Sequence, residues 1–417
     1  MAAKNCKLAI LFLLTSLSSF SQEIRVNKKW DELIQSIRLY PDYQIETKQL
    51  YPPVVPLEEQ NLILEFDDLR NDRENYYAKL FYCNYDWTPS RLHDLDFISI
   101  YNEFNITDYS YSSNTHIPYV HYKFGLPTVK IPGNYILFVY RNGDQTEKVF
   151  ESRFCVFNRL AEINPIIRPG QNTISRSFQQ INFGVSYMNA DVPDPLTSIH
   201  TVMSQNNRWD QIKSDMKPSK HDTYRKQLEY VFYDGEGSFP AGNEFRFVDF
   251  TSANYPGQNT DYLDRGQKPM HLFVMPDKPR TFDAYAQYND LNGGAVLENR
   301  DYGSVETTGQ YLWVHFRLKV ENTLNQKIWV AGAWSDWKKD DKYLLHQNGG
   351  FLEGTVLLKQ GFYNYMYLTE SISDRENEIE GNHTETENMY QIFVYNRQFS
   401  TGADWLIGYT RFNLNQR

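Results

Sequence analysis

The clearest alternation of hydrophobic and polar positions runs over residues 311–320. Leu312, Val314 and Phe316 alternate there with Trp313, His315 and Arg317. Because successive side chains of a strand point to opposite faces, this period of two predicts a strand with one buried face. A short strand at 328–331, a Gly-Ala-Trp-Ser-Asp-Trp turn and two strands around Lys359-Gln-Gly-Phe follow. Residues 311–368 are therefore predicted to form a compact antiparallel sandwich.

Similar short apolar segments fill the first third of the chain. Residues 62–66, 76–83, 135–140 and 149–157 are predicted strands, and Asn142-Gly143 between the last two is typical of a tight hairpin turn. They indicate one sandwich between about residues 35 and 158. Residues 92–125, between two of these strands, are rich in Tyr, Asn, Ser and His. Such a segment is either a recognition surface or an ordered loop packed on its own tyrosines.

A second sandwich is predicted for residues 160–300. Ile181, Phe183, Val185 and Tyr187 alternate with polar or small residues, and further apolar segments follow, separated by long loops such as 251–267. The fold class is therefore all-β, with three consecutive antiparallel, immunoglobulin-like β-sandwich domains and long loops. We expect a signal peptide at 1–21 and domains at 22–160, 161–302 and 303–417.

The first 21 residues have the organisation of a secretory signal peptide. Two lysines precede an apolar stretch that is too short to span a membrane, and a small-x-small site places the predicted cleavage between Ser21 and Gln22. The mature protein is therefore expected to be exported and soluble.

The composition of the chain limits the classes of binding partner that we expect. The formal net charge is −10, and 16% of the residues are aromatic. Aromatic side chains favour the half-buried surfaces of sheets, and an acidic chain disfavours nucleic acid and anionic lipid as partners.

Cys83 and Cys155 are the only cysteines that remain after signal cleavage. They could form a disulfide in an oxidising compartment. The alternative is that both are small buried hydrophobic side chains.

We find no set of residues that predicts catalysis, a cofactor or a metal site. The motifs of serine hydrolases, phosphate-binding loops and zinc proteases are missing from the sequence. On a strand, His383, Glu385 and Glu387 would share one face and could hold a metal ion, but a solvated loop explains them as well. Asp67 and Asp68 could be a glycosidase carboxylate pair, although acid pairs are expected by chance in so acidic a chain.

Three tryptophans allow another interpretation. Trp329, Trp334 and Trp337 lie around the predicted turn of the third sandwich. Exposed tryptophans there could stack on sugar rings, which would make the protein a periplasmic carbohydrate-binding protein. Buried tryptophans would instead be core residues, and we prefer this interpretation for Trp337.

The chain resembles the plug proteins of the Bacteroidota type IX secretion system, formerly a domain of unknown function. The resemblance covers essentially the whole mature chain and is carried by nine motifs in order: Leu64-Glu-Phe-Asp-Asp-Leu69, Cys83-Asn-Tyr-Asp-Trp87, Asp108-Tyr-Ser-Tyr-Ser-Ser-Asn-Thr115, Tyr119-Val-His-Tyr122, Pro132-Gly-Asn-Tyr135, Asp290-Leu-Asn-Gly293, Val330-Ala-Gly-Ala-Trp-Ser-Asp-Trp337, Leu358-Lys-Gln-Gly-Phe-Tyr-Asn-Tyr365 and Glu380-Gly-Asn-His-Thr-Glu-Thr-Glu387. Separately, residues 330–367 are similar to glycogen-binding immunoglobulin-like modules, but the second sugar-stacking tryptophan of those modules has no match here.

The plug resemblance implies a non-enzymatic periplasmic protein without cofactors. Such a protein would bind the periplasmic opening of the large outer-membrane translocon barrel and occlude its pore when no cargo is passing. It would associate with the outer membrane through the translocon rather than insert into the bilayer. Loop length alone suggests residues 92–125 and 251–267 as the contacting segments.

Overall fold

We describe the protein from a computed structural model, over residues 24–166, 177–233, 235–319, 326–370 and 379–415. Strands dominate, short helical turns are few, and the sheets are mainly antiparallel. The all-β prediction is confirmed.

The first sandwich packs two sheets against each other. Its larger sheet has the order β1-β10-β9-β5-β6, with β3 parallel to β10, and the smaller has the order β2-β4-β8-β7. Asn142 and Gly143 both have positive φ, so the predicted hairpin turn joins β9 to β10. The elements are β1 (Lys28–Lys29), β2 (Ile34–Pro41), β3 (Val54–Pro56), β4 (Leu62–Asp68), β5 (Tyr76–Cys83), α1 (Asp94–Phe97), β6 (Phe104–Ile106), β7 (Asp108–Tyr111), β8 (Val120–Gly125), β9 (Gly133–Arg141) and β10 (Asp144–Phe157).

The middle sandwich begins after β10. One sheet has the order β11-β13-β17-β16, β12 pairs with β18, and β14 pairs with β15. Its core includes Phe183, Leu228 and Met203, all fully buried. The elements are β11 (Glu162–Ile166), β12 (Phe178–Gln180), β13 (Asn182–Ser186), α2 (Pro195–Ser198), β14 (Ile199–Gln205), β15 (Ile212–Ser214), β16 (Lys220–Asp222), β17 (Gln227–Tyr230) and β18 (Ser238–Pro240).

The third sandwich contains the alternating stretch. One sheet has the order β20-β21-β23-β26-β25, and in the other β27 pairs with β19, β22 and β24. On β23, Leu312, Val314 and Phe316 are buried as the alternation predicts; Val320 lies outside the described residues. The elements are β19 (Arg246–Asp249), β20 (Thr260–Asp264), β21 (His271–Val274), β22 (Ala295–Leu297), α3 (Val305–Thr308), β23 (Tyr311–Leu318), β24 (Ile328–Gly332), β25 (His346–Asn348), β26 (Phe351–Lys359) and β27 (Gly361–Thr369).

The last two strands, β28 (Asn388–Arg397) and β29 (Asp404–Leu414), return to the middle sandwich. There they complete a sheet of order β15-β14-β28-β29, in which β28 pairs with β14 along seven residues, from Ile199↔Asn396 to Gln205↔Tyr390.

The sheets therefore do not divide at residues 302 and 303 as expected. Strands β19 to β22 belong to the third sandwich, and the C-terminal hairpin belongs to the middle one. The physical reason is that an apolar strand pattern does not specify its pairing partner, which only long-range packing determines.

The three sandwiches contact one another through buried junctions. The outer face of the larger first sheet packs on β14, β28 and β29, where Ile136, Phe138 and Tyr140 meet Val202 and Phe393 in one apolar cluster. Between the middle and third sandwiches, the guanidinium of Arg208 lies 5.0 Å from the ring centroid of the buried Trp337. The junction between the first and third sandwiches is polar, and it forms the centre of the candidate site.

Candidate functional site

Residues 92–125 are not a single inserted loop. They contain α1, β6, β7 and β8, and β8 is an interior strand of the smaller sheet, paired with both β4 and β7. The expected insertion is corrected on this point, because Val120 and Tyr122 of β8 are fully buried core residues. The solvent-facing part lies around α1, where Leu95 is 75% exposed and Tyr101 is 80% exposed.

Residues 251–267 form a loop that leads into β20. Ser252 and the backbone of Ala253 donate hydrogen bonds to Asp301, which holds the start of this loop on the third sandwich. Tyr255 is 76% exposed at its tip.

The two predicted contact segments approach the same part of the third sandwich. In residues 92–125, the backbone amide of Ser113 donates a hydrogen bond to the carbonyl oxygen of Thr307. The carbonyl of Asn114 accepts a hydrogen bond from the side chain of Gln310. In residues 251–267, the carbonyl of Thr251 accepts a hydrogen bond from the backbone amide of Arg300. Residues 300–310 thus lie between the two segments.

This same region contains a buried ion pair between the first and third sandwiches. The Lys359 Nζ lies 2.7 Å from Oδ2 of Asp67, and both side chains are almost fully buried. Tyr311 donates a hydrogen bond to the same oxygen at 2.6 Å, and Nδ1 of His121 lies 2.7 Å from the other carboxylate oxygen. Buried charges need such partners, because removing them from water is costly.

The electrostatics of this cluster keep Asp67 ionised. Burial alone would raise the pKa of the Asp67 carboxyl, but Lys359 and His121 hold that pKa below its ordinary value. Burial lowers the pKa of Lys359, and Asp67 opposes that effect. The pair joins β4 of the first sandwich to the end of β26 in the third.

Asp67 and Asp68 therefore do not form a glycosidase pair. They point to opposite faces of β4, as consecutive strand residues do. Asp68 accepts hydrogen bonds from Tyr76 and Arg70, whereas Asp67 binds Lys359. Each carboxylate has a structural partner.

A second buried charge network fixes the segment that returns from the third to the middle sandwich. The Glu380 carboxylate accepts hydrogen bonds from Arg246 at 2.9 Å and from Arg280 at 2.8 Å. Burial alone would raise the pKa of Glu380, but the two guanidinium groups lower it. Arg246 also binds Asp277 at 2.7 Å. The sequence pattern does not reveal this network, since its members are far apart in the chain.

His383, Glu385 and Glu387 do not share a strand face, because β28 begins only at Asn388. The described residues contain no group of three or more His, Cys, Asp or Glu side chains that could hold a metal ion.

The cysteines do not pair. Cys83 and Cys155 are buried free thiols on the larger first sheet, and Asn134 of β9 lies between them in register. Two strand spacings separate them by roughly 10 Å, which exceeds the Cα separation of a disulfide. Burial raises the pKa of the Cys83 thiol to about 12. The structure therefore agrees with the alternative interpretation, in which both cysteines are small buried side chains. The predicted cleavage site, Ser21 and Gln22, lies outside the described residues.

The tryptophans offer no exposed platform for a sugar. Trp329 and Trp337 are 5% and 6% exposed, and the half-buried Trp334 stacks on Phe316 at 5.6 Å between ring centroids. The carbohydrate-binding alternative loses the residues on which it rested.

None of the helices in the described residues has the length and hydropathy of a membrane span.

A search of curated proteins found no match. Among solved structures, the chain is similar to a hypothetical protein from Parabacteroides merdae, with 26% identity, a TM-score of 0.87, and coverage of 94% of this chain and 100% of that one. The arrangement of the three sandwiches is therefore shared with that protein.

A family model described as the type 9 secretion system plug protein 1st domain matches residues 34–158. This range extends from the start of β2 to just past the end of β10, and so covers both sheets of the first sandwich. This match confirms, over residues 34–158, the resemblance to the type 9 secretion system plug proteins that was inferred from the sequence.

Proposed function

We propose that this protein is a non-enzymatic periplasmic plug that binds the periplasmic opening of the type IX secretion translocon and occludes its pore between cargo molecules. The observation that carries the proposal is the match of residues 34–158, which contain every strand of the first sandwich except β1, to the first domain of the plug family. The predicted signal peptide agrees with a periplasmic location near the outer membrane.

The packing of the three sandwiches supports an occluding role. A plug must keep its shape against a wide opening, and interfaces that are large and apolar or fully hydrogen-bonded resist relative domain motion. Here one junction is an apolar cluster and another contains the buried Asp67–Lys359 pair. The chain therefore offers one broad, stiff body.

The surface around α1 is the best docking candidate. Leu95, Ile100 and Tyr101 are 75%, 57% and 80% exposed within seven residues. Clustered exposed apolar side chains mark interaction sites, and tyrosine supplies contact area at a low cost in side-chain entropy. We call these three residues the α1 patch and propose that it contacts the translocon.

Loss of the gene tests the occluding role. We expect the outer membrane of a deletion strain to admit large antibiotics that the parent strain excludes, and complementation with the wild-type gene to restore the barrier. An outer membrane that remains equally impermeable after deletion would contradict the proposal.

A further inference from the structure

The outer face of the smaller first sheet carries a row of polar side chains beside the third sandwich. Strand register places Glu65 and Asp67 of β4, His121 and Lys123 of β8, and Asp108 of β7 on this same face. Residues 304–307, at the start of α3, lie opposite. Between them is an open cleft of about 330 Å³. This volume exceeds what a few water molecules need.

His121 is the unusual member of the cleft. It is 6% exposed, and its Nδ1 lies 2.7 Å from the Asp67 carboxylate. Because an ionised carboxylate can only accept, Nδ1 carries the proton of that hydrogen bond. Its other nitrogen, Nε2, is buried and has no hydrogen-bond partner in the described part of the chain. In the neutral ring, this nitrogen presents a lone pair to the cleft.

Glu65 presents a second acceptor nearby. Its Oε2 accepts from Arg38 and Tyr40, both at 2.7 Å, which fixes the carboxylate in place. Its Oε1 lies 3.9 Å from Nε2 of His121. One nitrogen donor in the cleft could reach both acceptors at ordinary hydrogen-bond distances of about 2.8 Å.

The charges of the cleft favour a cation. Three carboxylates, from Glu65, Asp108 and Glu306, line it, against two cations: the ammonium group of Lys123 and the guanidinium of Arg38, which binds Glu65. An anion is disfavoured, because it would face hydrogen-bond acceptors and negatively charged carboxylates. A metal ion is disfavoured because the described residues bring together no three side chains with metal-ligand geometry.

We propose that this cleft binds a primary ammonium or guanidinium group, with Nε2 of His121 and Oε1 of Glu65 as hydrogen-bond acceptors and the carboxylates of Asp108 and Glu306 as counter-charges. The group belongs either to a lysine or arginine side chain of a protein or to a free polyamine. The site is independent of the α1 patch, so it does not depend on the proposed plug function.

Histidine-selective NMR of the full mature chain tests the proposal. At pH 8, the Nε2 resonance of His121 is followed during titration with N-acetyl-lysine methylamide, N-acetyl-arginine methylamide and spermidine. Loss of the resonance in His121→Gln assigns it. We expect a saturable shift with the cationic probes and none with neutral N-acetyl-glutamine methylamide. Saturation by the amino-acid amides alone identifies a protein side chain as the ligand, whereas tighter binding of spermidine identifies a free polyamine.

Variants at the rim of the cleft change the proposed binding site without disturbing the fold. Asp108 is exposed and Glu306 is half-buried, so Asp108→Asn and Glu306→Gln leave the core intact. Each is expected to weaken binding severalfold, since it removes one of the counter-charges of the bound cation. Glu58→Gln, an exposed acid that does not line the cleft, is the matched control. No saturable shift at millimolar probe, or binding unchanged in both rim variants, would overturn the proposal.

Discussion

The turn between β26 and β27 shows how a polar residue can be structural. Lys359 and Gln360 are 1% and 0% exposed, although a Lys-Gln-Gly turn is typical of a solvated hairpin. Gln360 is held within the third sandwich, where its side chain donates a hydrogen bond to the carbonyl of Thr251. The first sandwich supplies Asp67 as the ion partner of Lys359. The sequence could not predict this contact, since 292 positions separate the two residues.

Lys359→Met tests the importance of the buried pair. It leaves the Asp67 carboxylate without its cation, and breaking a buried pair in this way costs about 3–5 kcal/mol of unfolding free energy. We expect a urea midpoint lowered accordingly. Asp67→Asn combined with Lys359→Met should recover part of the loss.

The control for this prediction is Lys220→Met, which removes a surface ion pair with Glu229. Exposed pairs contribute at most about 1 kcal/mol. If the two single variants lose equal stability, the buried pair does not hold the junction together.

Asp290 gives the protein a specific pH dependence. Burial raises the pKa of its carboxyl to about 7, although the amides of Phe245 and Asn292 donate to it and oppose that effect. The folded state therefore retains a proton that the unfolded state loses above its ordinary pKa of 3.8. The stability contribution of Asp290 is greatest below that value and is lost as the pH rises through about 7, by at most about 1.4 kcal/mol per pH unit.

Asp290→Asn is expected to flatten the pH dependence of unfolding over this range. The measurement compares urea midpoints at pH 5 and pH 8 in wild type and variant. A pH difference that is unchanged in the variant would show that Asp290 does not titrate in the folded protein in this range.

At the scale of elements, local patterns predicted the strands well. The alternation on β23 and the Asn142-Gly143 turn both depend on neighbouring residues, and the structure confirms them. The order of the sheets depends instead on which apolar faces meet. For this reason the sequence places β28 and β29 in the third domain, whereas in the structure β28 pairs with β14 and β29 pairs with β28.

Deletion of residues 388–417 tests this exchange. It removes Tyr390, Ile392 and Val394 from the middle core and exposes the edge of β14. We expect the middle sandwich of the shortened chain to become susceptible to limited proteolysis while the third sandwich remains protected. A shortened chain that is protease-resistant throughout would contradict the observed topology.

The candidate site was predicted only in part. Loop length alone suggests residues 92–125 and 251–267 as contact segments, and both present exposed aromatic rings. The sequence also allows the three tryptophans of the third sandwich to bind a sugar, but Trp329 and Trp337 are core residues. Residue type does not reveal exposure, which depends on packing between sheets. The cleft at His121 could not be predicted either, since it forms only where two sandwiches meet.

At the scale of the whole molecule, the junctions make one body of three sandwiches. The apolar cluster joins the first to the middle, Asp67 and Lys359 join the first to the third, and Arg208 packs on Trp337 between the middle and third. In the proposed plug function, this body presents a docking surface to the translocon, and we propose that the α1 patch is part of that surface.

A double variant, Leu95→Asp with Tyr101→Asp, tests the α1 patch. Both side chains are exposed, so folding should be unaffected while docking is disrupted. We expect at least a tenfold loss of retained partner in affinity purification. Tyr224→Asp, at a side chain that is 96% exposed in another sandwich, is the matched control and should bind as wild type. Equal loss in both variants, or in neither, would place the contact elsewhere.

The most direct test of the plug assignment is affinity purification of the tagged full-length protein from membranes solubilised in mild detergent, followed by mass spectrometry and electron microscopy. We expect a very large outer-membrane barrel in stoichiometric amount, with this protein at its periplasmic opening. Recovery of the protein without any such barrel, from membranes in which the translocon is present and intact, would contradict the plug assignment.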